Sequence, residues 1–481
     1  MLAYRAEVSL DDYLAELEQP ALVQHASLLG EGLDDSPSPT RHVQSLAQTF
    51  ALCRGRLDQR HEVDRVAIAL LARTACLAPG EPVPRELLAR TLEEVEPRRR
   101  ADGLRRLSDV GLVEEGEGWI RLHRLIVHFV RHESLDPAAQ PAVDRALTRC
   151  GRDAVEDHLT GTALAAVIPH LVAVAAGGDT GDGGRAADLC FAAGLALRSA
   201  GDFRAATLWY ERTVALREKV LGSDHPETAR AMNELGTMLW ARGDLRAARP
   251  LLERALAIRE RALGPDHSDT TADLNNLALL YRDQGESAAA RRLFERALDI
   301  RERVLGSDHP LTARSLYNLA LVHLDQGELV TAGPLFERAL DIRERVAGPD
   351  HPHTAYSLNG LALLRQTRGE LDAARRLFER ALDIRERVLG PDHHNTAVSL
   401  HNLALLYRGQ GEPAAARRLL ERALDIRERV LGPHHPSTIA TRCALAEITP
   451  DNGSGGQLLV NRRDRTRAGA SAPRRAASGS A

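Results

Sequence analysis

Glycine returns every 42 residues along the second half of this chain, at Gly222, Gly264, Gly306, Gly348, Gly390 and Gly432. A histidine follows three residues after each, at His225, His267, His309, His351, His393 and His435. A threonine comes three further on, at Thr228, Thr270, Thr312, Thr354, Thr396 and Thr438. A second glycine keeps the same period at Gly201, Gly243, Gly285, Gly327, Gly369 and Gly411. Six units of 42 residues cover about half of the 481-residue chain. Such a period constrains that half to a stack in which each unit buries its apolar face against its neighbours, which excludes a single globular core.

Each unit reads as two helices. In one copy Leu274, Leu277, Ala278 and Tyr281 recur at helical spacing up to Gly285. Ala290, Leu293, Phe294, Ala297, Leu298 and Ile300 then mark a second helix up to Gly306. Both glycines stand where a helix takes a left-handed residue just past its end. Asp308-His309-Pro310 supplies a capping acid and a proline suited to opening the next helix. The alanines let helices approach closely and Phe294 fills the space between them. Asp299 and Arg303 have the spacing and polarity of a helix-face ion pair. Seventeen aromatic residues in the whole chain argue against a large all-β protein.

This pattern resembles the tetratricopeptide repeat, in the 42-residue form found in kinesin light chains and many actinobacterial proteins. The matching signature is the Leu-Ala pair (Leu277-Ala278, Leu319-Ala320, Leu361-Ala362, Leu403-Ala404), with Ala290, Ala332, Ala374 and Ala416 twelve residues on and Glu-Arg-Ala-Leu in the second helix. It covers roughly residues 186–447. The first unit is degenerate and the last helix, Thr438–Ile448, lacks its partner, as suits terminal caps. The resemblance implies an all-α solenoid, a right-handed superhelix of helix pairs whose first helices line a concave groove for a peptide or protein. The groove positions it implies are Asn233, Trp240, Asn275, Arg282, Tyr317, Tyr356, Asn359, His401 and Arg408. An asparagine amide can pair with the backbone of an extended peptide. Neighbouring arginines would favour acidic or C-terminal carboxylate groups. The adjacent Asn276, Asn318 and Asn402 read either as further groove residues or as hydrogen bonds holding one pair to the next.

Six histidines beside acids resemble metal ligands, but equivalent positions in successive pairs lie at least a helix-packing distance apart, roughly 8–10 Å, too far to share one ion. They read as turn residues packed at the junctions between repeats, and no metal or cofactor is expected. The five cysteines (Cys53, Cys76, Cys150, Cys190 and Cys443) are scattered and odd in number, which fits a reducing cytoplasm. A formal net charge of −4 removes any global argument for nucleic acid or membrane. The longest apolar run, Ala163–Ala176, is short for a bilayer and contains Pro169 and His170.

The amino-terminal third does not repeat. Helices are expected at Leu10–Glu18 and Thr40–Leu57, then at Val63–Leu77, Pro84–Leu92 and Arg98–Val110. A β-hairpin is expected over Gly111–Leu122. Three helices and a hairpin follow the order of a winged helix. Arg98, Arg99, Arg100, Arg105 and Arg106 crowd the third helix, where a DNA-reading helix would lie, but Glu93, Glu94, Glu96, Glu114, Glu115 and Glu117 flank them.

Residues 60–135 also resemble the winged-helix segment that follows the nucleotide-binding core of NB-ARC-type STAND ATPases. The matching residues are Ala69-Leu70-Leu71-Ala72, Leu77-Ala78-Pro79, Val83-Pro84 with Leu87-Leu88, Leu104 and Leu107 before Gly111-Leu112-Val113, and Leu122-His123-Arg124-Leu125-Ile126. The last stands where that family carries a Met-His-Asp-like motif. The resemblance therefore implies His123 as a nucleotide sensor, with Arg124 departing from the acid. The phosphate loop G-x-x-x-x-G-K-[ST] does not occur, and Lys219 is the one lysine. The expectation is that the chain begins just after such an ATPase core and that His123 is then a packed or solvated residue.

Five segments are expected. A helical remnant spans 1–60, a winged-helix-like α+β domain 61–135, a connector with a glycine-rich linker 136–184, the repeat array 185–448 and a disordered basic tail 449–481. The leading function is a non-catalytic scaffold holding a protein or peptide in the groove, in signalling or regulation. The alternatives are the sensor half of a STAND ATPase working with a separate nucleotide-binding module, and a winged-helix DNA-binding regulator.

Overall fold

A computed structural model describes residues 50–133, 136–155, 159, 161–177, 183–433 and 435–448. The expected helix at Leu10–Glu18, most of that at Thr40–Leu57, the centre of the glycine-rich linker and the basic tail lie outside the described residues. The chain divides into two compact units, Met1–Ala196 and Leu197–Ala481.

In the first unit, helix α1 (Glu62–Ala75) leads to a two-residue strand β1 (Val83–Pro84), α2 (Arg85–Thr91) and α3 (Pro97–Asp109). The hairpin strands β2 (Glu114–Gly116) and β3 (Trp119–Arg121) follow, then α4 (Arg124–Glu133), α5 (Ala139–Val155), α6 (Gly161–Gly177) and α7 (Gly183–Ser199). The hairpin is shorter than the sequence predicts. The sheet gains β1, which pairs antiparallel with β3 through Val83 and Ile120, giving the order β1-β3-β2. Two residues beside a proline carry too weak an alternation to be read as a strand. Leu70, Leu71, Leu87, Leu88, Leu107 and Ile120 are among the buried core residues of this unit. The greasy run Ala163–Ala176 forms α6, where buried His170 donates from Nε2 to the Pro82 carbonyl at 3.0 Å and accepts the Ala78 N–H on Nδ1 at 3.2 Å. Among the described residues no helix is long and apolar enough to cross a membrane.

The second unit is a train of antiparallel helix pairs. Five pairs follow α8 (Phe203–Leu221): α9 (Pro226–Ala241) with α10 (Leu245–Leu263), α11 (Thr270–Asp283) with α12 (Ser287–Leu305), α13 (Pro310–Asp325) with α14 (Leu329–Val346), α15 (Pro352–Thr367) with α16 (Leu371–Val388), and α17 (His394–Gly409) with α18 (Pro413–Leu431). The unpaired α19 (Pro436–Ala446) ends the train. One large side chain per second helix (Tyr210, Leu252, Phe294, Phe336, Phe378 and Leu420) is almost wholly buried. Around Phe336 lie Ala320, Ala332, Leu361 and Leu364, so each large residue locks its own pair to the next. Both glycine rows are left-handed, with Gly285 at φ +82° and Gly306 at +92°, as their helix-ending role requires.

The cap at each junction differs from the expected one. The acceptor is the histidine: Nδ1 of His225, His267, His309, His351, His393 and His435 takes the backbone N–H two residues on, each at 3.1 Å. The neighbouring acid is occupied elsewhere, for Asp308 pairs with Arg345 of the following second helix at 2.9 Å. A buried arginine row completes the joint. Arg217, Arg259, Arg301, Arg343, Arg385 and Arg427 each donate to a carbonyl ten residues ahead, in the turn entering the next first helix, at 2.8–3.2 Å. Arg301, Arg343 and Arg385 also reach the hydroxyls of Ser315, Ser357 and Ser399 at 2.7–2.8 Å.

Arg301→Ala removes the buried donor to the Leu311 carbonyl and the Ser315 hydroxyl and opens a cavity, so it should lower array stability by roughly 2–4 kcal/mol in urea unfolding. His309→Ala should cost about 1 kcal/mol, whereas His309→Asn, which restores a cap acceptor, should recover most of that loss.

Candidate functional site: the concave face of the array

Successive first helices (α9, α11, α13, α15, α17) approach one another more closely than successive second helices do, which places them on the inner side of the curve. The residues expected to face a ligand lie there, yet most bridge to the next first helix. Asn233 is buried and its Oδ1 accepts from Asn276 Nδ2 at 3.1 Å, and buried Asn275 accepts from Asn318 at 2.8 Å. Asn359 donates to Ser399 Oγ at 3.2 Å, while its Oδ1 has no hydrogen-bond partner among the described residues. Trp240 Nε1 donates to Asp283 at 2.9 Å, and Arg282 lies 3.6 Å from Asp325. Tyr356 donates to Asn395 at 2.8 Å and Arg408 pairs with Glu447 at 2.5 Å. Asn276 and Asn318 are the struts one reading proposed. Asn233 and Asn275 accept those struts and Asn359 donates one to Ser399, because the curve brings neighbouring first helices within amide reach.

Where the ladder has no asparagine it is built from rings. Tyr317 stands edge-on to Phe336 with ring centres 5.6 Å apart, and the Arg343 guanidinium lies 5.2 Å above its ring. Gly360 makes the room, since a Cβ there would fall 2.5 Å from both rings. Arg385 covers Tyr356 at 4.6 Å. His401 contacts the Thr441 hydroxyl at 3.3 Å. Burial, with Arg427 and Arg408 adding to it, pushes the His401 imidazole down to about 3, so it is neutral at physiological pH.

Charge gathers at one place on this face. Arg198 and Glu234 form an ion pair. Half-buried Arg314, on α13, feels both: burial pulls its guanidinium below the ordinary value, Glu234 opposes this and Arg198 adds to it. Arg314 Nε is sealed from solvent and has no hydrogen-bond partner among the described residues. Reading the sequence for groove residues missed it. The available signal was an arginine five residues before the Leu-Ala pair, where the neighbouring units carry Ala272, Tyr356 and Val398.

Asp273 is fully buried 3.0 Å from Arg259, at the position where later units carry serine. Burial outweighs Arg259, and with Glu234 adding to it the carboxyl rises to about 7. His123, the expected nucleotide sensor, is exposed at the start of α4. Its Nδ1 accepts the Leu125 N–H at 3.3 Å, the same i+2 cap made by the array histidines. Two of the α3 arginines are tied inside their own unit: Arg100 donates to the Leu92 carbonyl at 2.8 Å and Arg106 holds Asp64 at 2.8 Å.

A tetratricopeptide repeat profile matches residues 189–261, 232–303, 270–332, 315–387 and 358–429, together half of the chain. The chain belongs to the tetratricopeptide repeat family. The tetratricopeptide array is similar to kinesin-light-chain repeats from Podosopora anserina (29% identity over 43% of this chain and 97% of that one, TM-score 0.34). It is also similar to BtubC from P. vanneervenii (23% identity, 54% and 98% covered, TM-score 0.37). A STAND protein with a tetratricopeptide repeat sensor from Pyrococcus horikoshii aligns over 91% of this chain and 65% of its own length, at 14% identity and a TM-score of 0.43. Comparison with curated proteins gives no match.

Replacing Asp273 with serine reproduces the Arg–Ser joint of later repeats. The folded state holds a proton on Asp273 that the unfolded chain releases between pH 3.8 and about 7. The contribution of Asp273 is therefore whole below that window and lost as pH rises through 7. Asp273→Ser should be more stable than the parent at pH 8, by on the order of 1 kcal/mol, and the advantage should shrink towards pH 4 in paired urea titrations.

Proposed function

We propose that the tetratricopeptide array is a non-catalytic scaffold that holds a protein or peptide segment against its concave face, and that an acidic side chain or terminal carboxylate of that segment pairs with Arg314. The carrying observation is Arg314 itself. A guanidinium held in a half-buried place with its Nε unpartnered carries a desolvation cost that a carboxylate ligand offsets. The ladder residues serve a different purpose in this reading: Asn233, Asn275 and Asn359 set the curvature of the face, while Tyr317, Tyr356 and His401 form its floor. The engagement of Arg100 and Arg106 within their own unit disfavours the DNA-binding alternative. His123 capping its own helix supports a regulatory module that works without nucleotide of its own, in the cytoplasm, whether or not a separate nucleotide-binding module joins it.

The test is fluorescence anisotropy with labelled oligoglutamate and oligoglutamine peptides against the full chain. Oligoglutamate should bind and oligoglutamine should not, and Arg314→Glu should weaken the former at least about tenfold, the equivalent of about 1.4 kcal/mol, with thermal stability retained. Equal binding of both peptides, or binding indifferent to Arg314→Glu, would count against the assignment.

A further inference from the structure

The two ends of the array touch. His435, at the head of α19, donates from Nε2 to the carbonyl of Ala241, 194 residues earlier at the end of α9. Next to it, a Cβ placed on Gly243 would lie 2.9 Å from Cγ and Cδ of Pro436. A Cβ on Gly201 would lie 3.3 Å from Val430. The Phe203 ring meets His394 edge-on at 5.8 Å. These contacts join the turns inside the first two helix pairs to the turns that open the last helices. At Gly285, Gly327, Gly369 and Gly411, the same turn in later pairs, the space is open among the described residues.

The His435 ring carries two jobs in one tautomer. Its Nδ1 lone pair caps α19 through the Ser437 N–H at 3.1 Å, and its Nε2–H makes the seam. The seam is otherwise a small patch of glycine, proline, valine and one aromatic ring. Opening it separates two turns and breaks none of the junctions that hold successive pairs together.

We propose that this seam is a clasp closing the concave channel along its side, so that an extended acidic peptide enters when the clasp parts. The proposal rests on the reading of the concave face as the binding site. The clasp sets the rate of entry, and Arg314 holds what has entered.

Three substitutions separate the clasp from folding. Phe203 and Pro436 each open a helix, a place where an acid is favourable, so Phe203→Glu and Pro436→Glu load the seam with charge while sparing the helices. His435→Asn keeps a cap acceptor for Ser437 and removes the imidazole donor to Ala241. Nitroxide labels on Arg242→Cys and Ile439→Cys, both exposed positions, report the separation of the two turns by pulsed electron paramagnetic resonance in the full chain with Cys53, Cys76 and Cys443 changed to serine. The expected result is one short distance in the parent, and a longer, broader distribution in Phe203→Glu/Pro436→Glu and in His435→Asn. Oligoglutamate association should be roughly tenfold faster in the opened variants, as closed molecules no longer hold back entry. An unchanged distance overturns the clasp. A lengthened distance with unchanged association overturns its control of entry. Absence of peptide binding in every protein overturns the groove reading on which that control rests.

Discussion

Each junction of the array turns on a charge held out of water. A guanidinium such as Arg301, only 1% exposed, reaches the first turn of the next helix pair and donates to a backbone carbonyl and a hydroxyl oxygen there. Burial pulls it down to about 9, which leaves it charged at neutral pH. A buried cation is tolerated only where hydrogen bonds offset its desolvation, which requires Thr271, Leu311 and Ser315 to stand within reach of Arg301. That requirement fixes the angle at which one pair follows another. The histidine at the same junction fixes where the next helix begins. Repetition of the joint turns a local geometry into a long-range one, and contact between turns 194 residues apart is its cumulative result.

The concave face inherits its character from that angle. Because the first helices converge, polar side chains that would face a ligand on a flatter array reach one another instead. Asn233 meets Asn276 and Asn275 meets Asn318. Tyr317 fits where Gly360 leaves space. A face built this way has few free polar groups to offer, and a partly buried arginine without a partner stands out against it. In the proposed reading, specificity comes from a small number of charges on this face, where Glu234 and Arg198 tune the field at Arg314.

How far the fold could be read from the sequence follows from the range of each interaction. The 42-residue period, the left-handed glycines, the alanine–phenylalanine interlock and the Asp299–Arg303 pair, observed at 3.3 Å, are set within one unit or between neighbours and were legible. The capping residue was misjudged because an aspartate is the commoner acceptor, and only three-dimensional placement shows that Asp308 is engaged by Arg345. Nothing in the local composition singles out the buried arginines, since Ile-Arg-Glu-Arg reads as a polar helix end. Their position four residues after Ala297 and its equivalents, on the apolar face, was the overlooked sign. The candidate groove row lies on the first helices, and its pairing from one to the next depends on curvature. Strand β1 and the end-to-end seam depend on contacts that no local pattern announces.

Nuclear magnetic resonance of the arginine Nε–H groups tests the central claim most directly. The Arg314 cross-peak is identified by its loss in Arg314→Lys, and oligoglutamate is titrated into the full chain. The account predicts that the Arg314 signal moves saturably while that of Arg301, already bonded to Thr271 through Nε at 3.1 Å, stays in place. A stationary Arg314 signal at peptide concentrations that saturate binding would contradict it.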